Sequence, residues 1–227
     1  MFSSADIIAY QYVNLPKDCK MERYLKKLRI SHQYVDADVF KNTKQFKDRY
    51  FDLIYCGRFD VNKGIVELVE ALDYLVNTVK RKLKVMIMGD GELGQQIRNY
   101  LIDKDLYGVN YSGYLPQDKV AEFLGNSKFI VIPSHIEGVP KVALEAISCG
   151  TIVISSKAGG LRYLIEDGVT GFTIESVDKH GIAEAILRAI DCPIGRRSEI
   201  LQRYQSILSD YSYNTVVNQY KAILNGL

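Results

Sequence analysis

The chain has 227 residues and a formal net charge of +2, with 47% hydrophobic and 25% charged residues. This balance is ordinary for a globular protein, and the charge is too small to indicate nucleic-acid binding. No apolar run is long enough to span a membrane, and Met1 leads into a mixed segment unlike a signal peptide. The 4 cysteines lack metal-ligand spacing, which favours reduced thiols and a cytoplasmic location.

Residues 1–50 are predicted to form an N-terminal edge element and a linker. They contain a strand-like stretch at 7–10, a basic helical stretch from Lys17 to Arg29, and a polar segment from Lys41 to Arg49. The sequence Asp36-Ala37-Asp38 resembles a D-x-D metal motif, but it lies far in sequence from every candidate phosphate-binding loop. We therefore interpret it as a capped turn.

Residues 51–227 are predicted to form one ligand-binding domain, in which strand patterns alternate with helix patterns. Strand-like apolar segments lie at 53–56, 83–88, 110–112, 129–133, 151–155 and 171–174. Helical periodicity covers 65–79, 93–102, 120–124, 142–147, 161–166 and 182–190, with one or two further helices over 196–225. This alternation predicts an α/β fold, a Rossmann-like doubly wound parallel sheet with helices on both faces.

The most informative segment, residues 134–145, joins a predicted strand to a predicted helix. Two glutamates, Glu137 and Glu145, stand eight positions apart around a tight turn. Open α/β sheets bind ligands at the carboxyl ends of their strands, and helix amino termini favour anions. The segment therefore predicts a site for a phosphate-bearing ligand. Because carboxylates do not bind phosphate, we assign the two glutamates to hydroxyl groups on either side of it.

A second loop, from Gly57 to Gly64, follows the first core strand and precedes a helix. Its two cations, Arg58 and Lys63, would hold a phosphate or diphosphate in the same crevice. Taken alone, the loop is equally well interpreted as solvated surface. Beside residues 134–145, it favours an anion-binding role.

Residues 89–94, Gly-Asp-Gly-Glu-Leu-Gly, match the G-x-G-x-x-G pattern of dinucleotide-binding proteins. That fingerprint also needs an acidic residue at the end of the next strand, which here ends in Tyr111-Ser112-Gly113. We therefore interpret Gly89-Asp90-Gly91 as a tight turn that lines the same crevice. An oxidoreductase using NAD or FAD is disfavoured, and no metal or cofactor site is predicted.

Together these residues resemble the C-terminal, donor-binding half of a GT-B glycosyltransferase of the large retaining family four. The matching positions are Gly57-Arg58, Lys63-Gly64, Gly89-Asp90-Gly91, Gly113-Tyr114-Leu115, Glu137-Gly138, Glu145-Ala146, Cys149-Gly150, Gly159-Gly160, Glu166-Asp167-Gly168 and Gly171-Phe172. The commoner Glu-Gly-Phe-Gly of the family is Glu137-Gly138-Val139-Pro140 here, which is similar to enzymes that build surface polysaccharides.

The resemblance implies a role for each matching residue. Arg58 and Lys63 would hold the donor diphosphate and neutralise charge as the nucleotide leaves, and Glu137 would bind hydroxyls of the sugar. Glu145 would bind the ribose. The other implied donor-binding positions are Gly57, Gly89, Tyr114, Leu115, Gly138, Val139, Pro140, Lys141 and Val142. The family needs no metal, and its donor is a nucleotide diphosphate sugar, more often a UDP-sugar than a GDP-sugar.

The resemblance also implies a missing half. A GT-B enzyme has an N-terminal acceptor-binding domain, and residues 3–8 are similar to its last strand. We therefore expect a retaining hexosyltransferase that is incomplete as this chain alone, with its acceptor half truncated or supplied by a partner chain. The acceptor would be a glycan or a lipid-linked molecule. The C-terminal helix, around 211–224, would have little to pack against.

Other functions remain open at this point. The alternative to an enzyme half is a non-catalytic nucleotide-sugar-binding subunit that needs a partner chain for transfer. Self-association through the exposed face and peripheral association with the inner face of the membrane are further options that the sequence does not decide.

Overall fold

The computed structural model describes residues 4–106 and 108–225. Within them, two short parallel strands form a small sheet, β1 (Ile8–Tyr10) and β2 (Leu28–Ile30). The main sheet consists of β3 (Phe51–Cys56), β4 (Val85–Met88), β5 (Val109–Gly113), β6 (Ser127–Ile132), β7 (Ile152–Ser156) and β8 (Phe172–Ile174). Its order is β5-β4-β3-β6-β7-β8, and all its strand pairs are parallel. The direction of strand succession reverses between β3 and β6, where open α/β sheets form a ligand crevice.

Helices connect the strands. They are α1 (Leu15–Asp18), α2 (Ile65–Asp73), α3 (Gly94–Asp103), α4 (Gln117–Gly125), α5 (Lys141–Ser148), α6 (Leu161–Leu164), α7 (Lys179–Ile190), α8 (Ile194–Asp210) and α9 (Tyr213–Asn225). Shorter 3₁₀ helices cover Glu22–Lys27, Phe46–Asp48 and Val61–Lys63, and a π-turn at Tyr74–Thr78 extends α2. The predicted alternation of strands and helices is therefore confirmed.

The core lies on both faces of the main sheet. Ile54 in β3 and Ile130 in β6 are completely buried, as is Leu72 on the inner face of α2. Burying one such side chain stabilises the fold by about 1.5–3 kcal/mol. Because helices cover both faces of the sheet, its inner strands, such as β4, consist of continuous apolar runs, and this is why the sequence pattern revealed them. The edge strand β5 is only partly buried.

The amino-terminal segment differs from the expected basic helix. Residues 17–29 comprise the end of α1, the 3₁₀ helix Glu22–Lys27 and the start of β2. Leu28-Arg29-Ile30 alternates apolar and polar residues, as a half-buried strand does, and Leu28 pairs with Ile8 of β1. Ile8, Leu28 and Met21 form a small separate cluster. An isolated helix of this length is only marginally stable, so tertiary pairing overrides the local helical pattern.

Helix α9 is supported, contrary to the expectation that it would have little to pack against. Val216 on α9 is buried. The Oε1 atom of Gln219 accepts a hydrogen bond from the backbone N–H of His32 at 3.0 Å. The ring of Tyr213 lies edge-on to that of Tyr34, with 5.4 Å between centroids. The segment that follows β2 therefore holds α9 against the body of the protein.

The linker before β3 is fixed by a buried arginine. The Nη1 atom of Arg49 donates to the Ser127 carbonyl at 2.8 Å, and Nη2 donates to the Cys149 carbonyl at 2.7 Å and to Asn42 Oδ1 at 2.9 Å. Burial lowers the pKa of Arg49 to about 10. The guanidinium thus joins the linker to β6 and to the carboxyl end of α5.

Candidate functional site

A cavity of about 440 Å³ lies at the carboxyl edge of the main sheet. Its walls come from the ends of β3 and β4, the residues after β5, and the first turns of α5. The lining residues are Phe40, Cys56, Gly57, Arg58, Met88, Gly89, Asp90, Tyr114, Leu115, Gln117, Val120, Lys141 and Glu145. The cavity is therefore next to the point where the strand order reverses, as the parallel topology predicts.

Arg58 presents a cation to this cavity. The Tyr55 hydroxyl donates a hydrogen bond to its carbonyl at 2.9 Å, which fixes the backbone. The Nη2 atom lies 3.1 Å from Asp60 Oδ2, and 79% of the arginine side chain is exposed. An ion pair this exposed is worth about 1 kcal/mol or less, so the guanidinium is free to turn toward a ligand.

Lys63 contacts Glu137. Its Nζ atom lies 2.5 Å from Glu137 Oε1, and the two side chains are only 22% and 11% exposed. The Ser134 hydroxyl donates to the same carboxylate oxygen at 3.0 Å. Gly64, with φ +65°, allows this arrangement, because a Cβ there would overlap the carbonyl oxygen of Pro133. The loop 57–64 can therefore lie against the end of β6, where Glu137 follows.

The first turns of α5 combine a helix amino terminus with a buried carboxylate. Pro140 precedes the helix, and no side chain among the described residues caps it. Lys141 and Glu145 share one face, with Nζ and Oε1 3.8 Å apart. Burial raises the pKa of Glu145, and the charge of Lys141 opposes this. Burial, assisted by Glu145, also raises the pKa of the neighbouring Cys56 thiol to about 12, so this thiol stays protonated.

The mouth of the cavity carries an exposed aromatic ring. Tyr114 is 87% exposed, next to Leu115 on the wall. Gly89, with φ +133°, brings the ends of β3 and β4 together, because a Cβ there would overlap the carbonyl oxygen of Gly57. This geometry agrees with the interpretation of residues 89–91 as a tight turn lining the crevice.

The cavity brings together only part of the predicted set. Its lining includes Gly57, Arg58, Gly89, Tyr114, Leu115, Lys141 and Glu145. The other predicted residues are Lys63, Glu137, Gly138, Val139, Pro140 and Val142. Of these, Lys63 and Glu137 contact each other, and the rest lie in or next to the turn that begins at Glu137. The roles assigned to these residues remain predictions.

Comparison with known proteins identifies the family. The model of the family "Glycosyl transferases group 1" matches residues 36–206, which include both loops and the cavity. The chain belongs to this family. The predicted resemblance is therefore confirmed.

Two curated relatives and one solved structure illustrate this membership. A glycogen synthase of Mycobacterium tuberculosis is 31% identical over 170 residues, covering 73% of this chain and 40% of that protein. A lipopolysaccharide 1,2-N-acetylglucosaminetransferase of Salmonella typhimurium is 28% identical over 180 residues, covering 74% and 46%. The structure of Anabaena HepE in complex with UDP and glucose superposes with a TM-score of 0.82 at 19% identity, covering 98% of this chain and 64% of HepE.

The structural neighbours are GT-B glycosyltransferases, so the Rossmann-like domain described here has the fold of one GT-B half. The chain spans less than half the length of the two curated relatives.

In this family member, the turn after Glu137 contacts the amino-terminal segment. The backbone N–H of Val139 points to Gln11 Oε1 at 3.4 Å, and its carbonyl accepts from Gln33 Nε2 at 3.4 Å. The backbone N–H of Val139, one of the implied donor-binding positions, is thus already paired in the free protein. The sequence analysis missed Gln11, because no local pattern predicts a contact between Gln11 and Val139, which are 128 positions apart. It also missed Ser134, although this polar residue at the end of β6 could have been noticed.

The Asp36-Ala37-Asp38 segment is a capped turn, as interpreted. Asp36 Oδ1 accepts the backbone N–H groups of Asp38 at 3.0 Å and Val39 at 3.4 Å. Across residues 4–106 and 108–225, no cluster of three or more His, Cys, Asp or Glu side chains could hold a metal ion. Metal-independent donor binding remains a prediction. No helix in the described part of the chain is long and apolar enough to cross a membrane.

Proposed function

We propose that this chain is the donor-binding half of a retaining hexosyltransferase and takes a nucleotide diphosphate sugar as its donor. The observation that carries the proposal is the cavity at the switch point of the sheet. Its lining includes Arg58 and Lys141, and Lys141 is the first residue of helix α5, whose amino end has no side-chain cap. This is the arrangement that favours a diphosphate. The buried Glu145 carboxylate in the same cavity suits the hydroxyl groups of a ribose.

The contact between Lys63 and Glu137 would couple binding of the donor's diphosphate to binding of its sugar. A diphosphate at the amino end of α5 would draw the ammonium of Lys63 away from Glu137. The carboxylate would then be free to accept hydrogen bonds from the sugar. Arg58 and Lys63 would neutralise the negative charge that grows on the diphosphate as the glycosidic bond breaks, and such stabilisation is among the largest contributions to catalysis.

The relatives support a choice of substrate. Anabaena HepE was solved with UDP and glucose, and the Salmonella relative is a lipopolysaccharide N-acetylglucosaminetransferase. We infer that the donor is a UDP-sugar and that the acceptor is a glycan or lipid-linked glycan in surface polysaccharide synthesis. Transfer would take place only with an acceptor-binding half, from the same polypeptide or from a partner chain.

Calorimetry with UDP, UDP-glucose and GDP-mannose in EDTA tests donor binding. The chain should bind at least one of them without a divalent metal. Arg58→Ala should weaken UDP binding about 10- to 150-fold, because a hydrogen bond to a charged group contributes about 1.5–3 kcal/mol. Arg203→Ala, an exposed control on α8, should leave the affinity unchanged.

Two outcomes would contradict the proposal. If the nucleotides fail to bind both with and without Mg²⁺, the cavity is not a donor site. If Mg²⁺ restores binding that EDTA abolishes, donor binding stands but its metal independence is wrong.

A further inference from the structure

Five cations with regular sequence spacing lie outside the cavity, on the amino-terminal segment. The members, Lys17, Lys20, Arg23, Lys26 and Arg29, recur at every third position, and all five residues are exposed. We call them the basic row. It runs from α1 through the 3₁₀ helix Glu22–Lys27 into β2. Because a 3₁₀ helix has about three residues per turn, its members Arg23 and Lys26 lie one above the other.

Positive charge is concentrated in this segment. Residues 17–29 contain six cations and two carboxylates, Asp18 and Glu22, which gives a net charge of +4. Since the whole chain carries +2, all the other residues together carry −2. An anionic surface would therefore attract this segment and repel the remainder, so the molecule would bind in one orientation.

Exposed apolar side chains accompany the basic row. Leu25, in the same 3₁₀ helix, is 61% exposed, and Val13, just before α1, is 71% exposed. Met21 and Leu28 are buried in one cluster with Ile8 of β1, and these contacts hold the segment against β1. Cations combined with exposed apolar side chains on one segment are typical of proteins that lie on an anionic bilayer.

We propose that residues 13–29 dock on an anionic membrane surface, with the basic row at the lipid head groups and Leu25 and Val13 at their boundary with the acyl chains. A soluble nucleic acid fits less well, because the Tyr24 ring is half-buried and the Arg23 guanidinium lies 4.7 Å from its centroid. A base would have to displace that cation to stack there.

Docking of this segment would also orient the donor cavity. Gln11, two positions before Val13, contacts the turn that follows Glu137. A membrane-bound chain would thus hold its donor near the lipid surface, where a lipid-linked acceptor would lie. The docking proposal itself does not depend on the identity of the donor.

Co-sedimentation of the full chain with vesicles tests the proposal. Vesicles of phosphatidylcholine with about one third phosphatidylglycerol should bind the chain, and pure phosphatidylcholine should not. High salt should release it, since screening shortens the reach of charges at the surface. Lys17→Gln/Lys26→Gln should lower the partition coefficient about 25-fold, or about fivefold per cation.

Matched variants separate this surface from general effects of charge and hydrophobicity. Lys47→Gln/Lys82→Gln removes the same charge from exposed positions elsewhere and should leave the partition coefficient unchanged. Leu25→Ser should weaken vesicle binding, whereas Ile194→Ser, on the exposed start of α8, should not. Thermal unfolding and UDP titration of each variant show whether the fold and the donor site are intact.

Two results would overturn the proposal. One is an equal loss of vesicle binding in the two lysine double variants. The other is binding of soluble heparin as tight as binding to vesicles, with Leu25→Ser affecting neither. That second result would indicate a site for soluble polyanions.

Discussion

Replacing Lys63 by methionine should destabilise the free chain by about 1.5–3 kcal/mol, the usual contribution of a hydrogen bond to a charged group. Its ammonium lies 2.5 Å from Glu137 Oε1, and both side chains are largely shielded from water. The substitution would leave the carboxylate with the Ser134 hydroxyl at 3.0 Å. Because this partner remains, the loss should stay below the roughly 3–5 kcal/mol expected when a buried charge loses all compensation.

Urea and thermal unfolding measure this loss. For a chain of this size, 1.5–3 kcal/mol corresponds to a fall in Tm of roughly 3–12 °C. Lys119→Met is the matched control, since Lys119 contacts Glu122 at 2.8 Å but both side chains are exposed. Its loss should stay below about 0.5 kcal/mol. The double variant Lys63→Met/Glu137→Gln should be at least about 1 kcal/mol more stable than the sum of the single losses predicts.

The same pair controls ligand binding. Glu137→Gln frees Lys63, so UDP should bind as tightly as before or more tightly, while the UDP-sugar should bind more weakly. Equal losses in the Lys63 and Lys119 variants, together with zero coupling, would refute the pairing in solution. Equal losses of UDP and UDP-sugar affinity in both Arg58→Ala and Glu137→Gln would refute the separate roles assigned to these residues.

Three further predictions concern the buried charges and the chain as a whole. Burial raises the pKa of Glu145, although the charge of Lys141 opposes this shift. A carboxyl with a raised pKa contributes its full stability below its unfolded pKa of about 4.3, and that stability is lost as the pH rises through the folded pKa. In urea unfolding, Glu145→Gln should therefore lose less stability than the unmodified chain as the pH rises above about 4.3. Calorimetry should show that the variant binds UDP more weakly, and Glu184→Gln is the exposed control. A pH profile of stability equal to that of the unmodified chain would contradict the prediction. Arg49→Met should lower the free energy of unfolding by about 1–3 kcal/mol for each of the two buried carbonyl groups, of Ser127 and Cys149, that lose their donor. A loss as small as that of Arg203→Met would contradict the role of Arg49 in holding the linker. The purified chain should transfer little or no sugar, because holding the acceptor in line supplies about 7–11 kcal/mol of the barrier lowering; robust transfer to a glycan with no other protein present would show that no acceptor half is needed.

The sequence by itself determined the architecture and the position of the candidate site. Strands covered on both faces need continuous apolar runs, so segments such as 129–133 and 151–155 are visible without a structure. Loops at the carboxyl ends of parallel strands meet at one edge, which placed Arg58 and Glu145 in one crevice. The division at residue 50 and the roles of the site residues remain predictions.

Only the tertiary structure decided which side chains meet. Lys63 and Glu137 are 74 positions apart, and Gln11 and Val139 are 128 apart. Their contacts depend on the strand order and on loops that pack closely only because glycine replaces a side chain, as at Gly64. Residues 28–30 became a strand because pairing with β1 outweighs a weak helical preference. Local pattern fixes periodicity and burial, whereas contacts between distant segments depend on the packing of the whole fold.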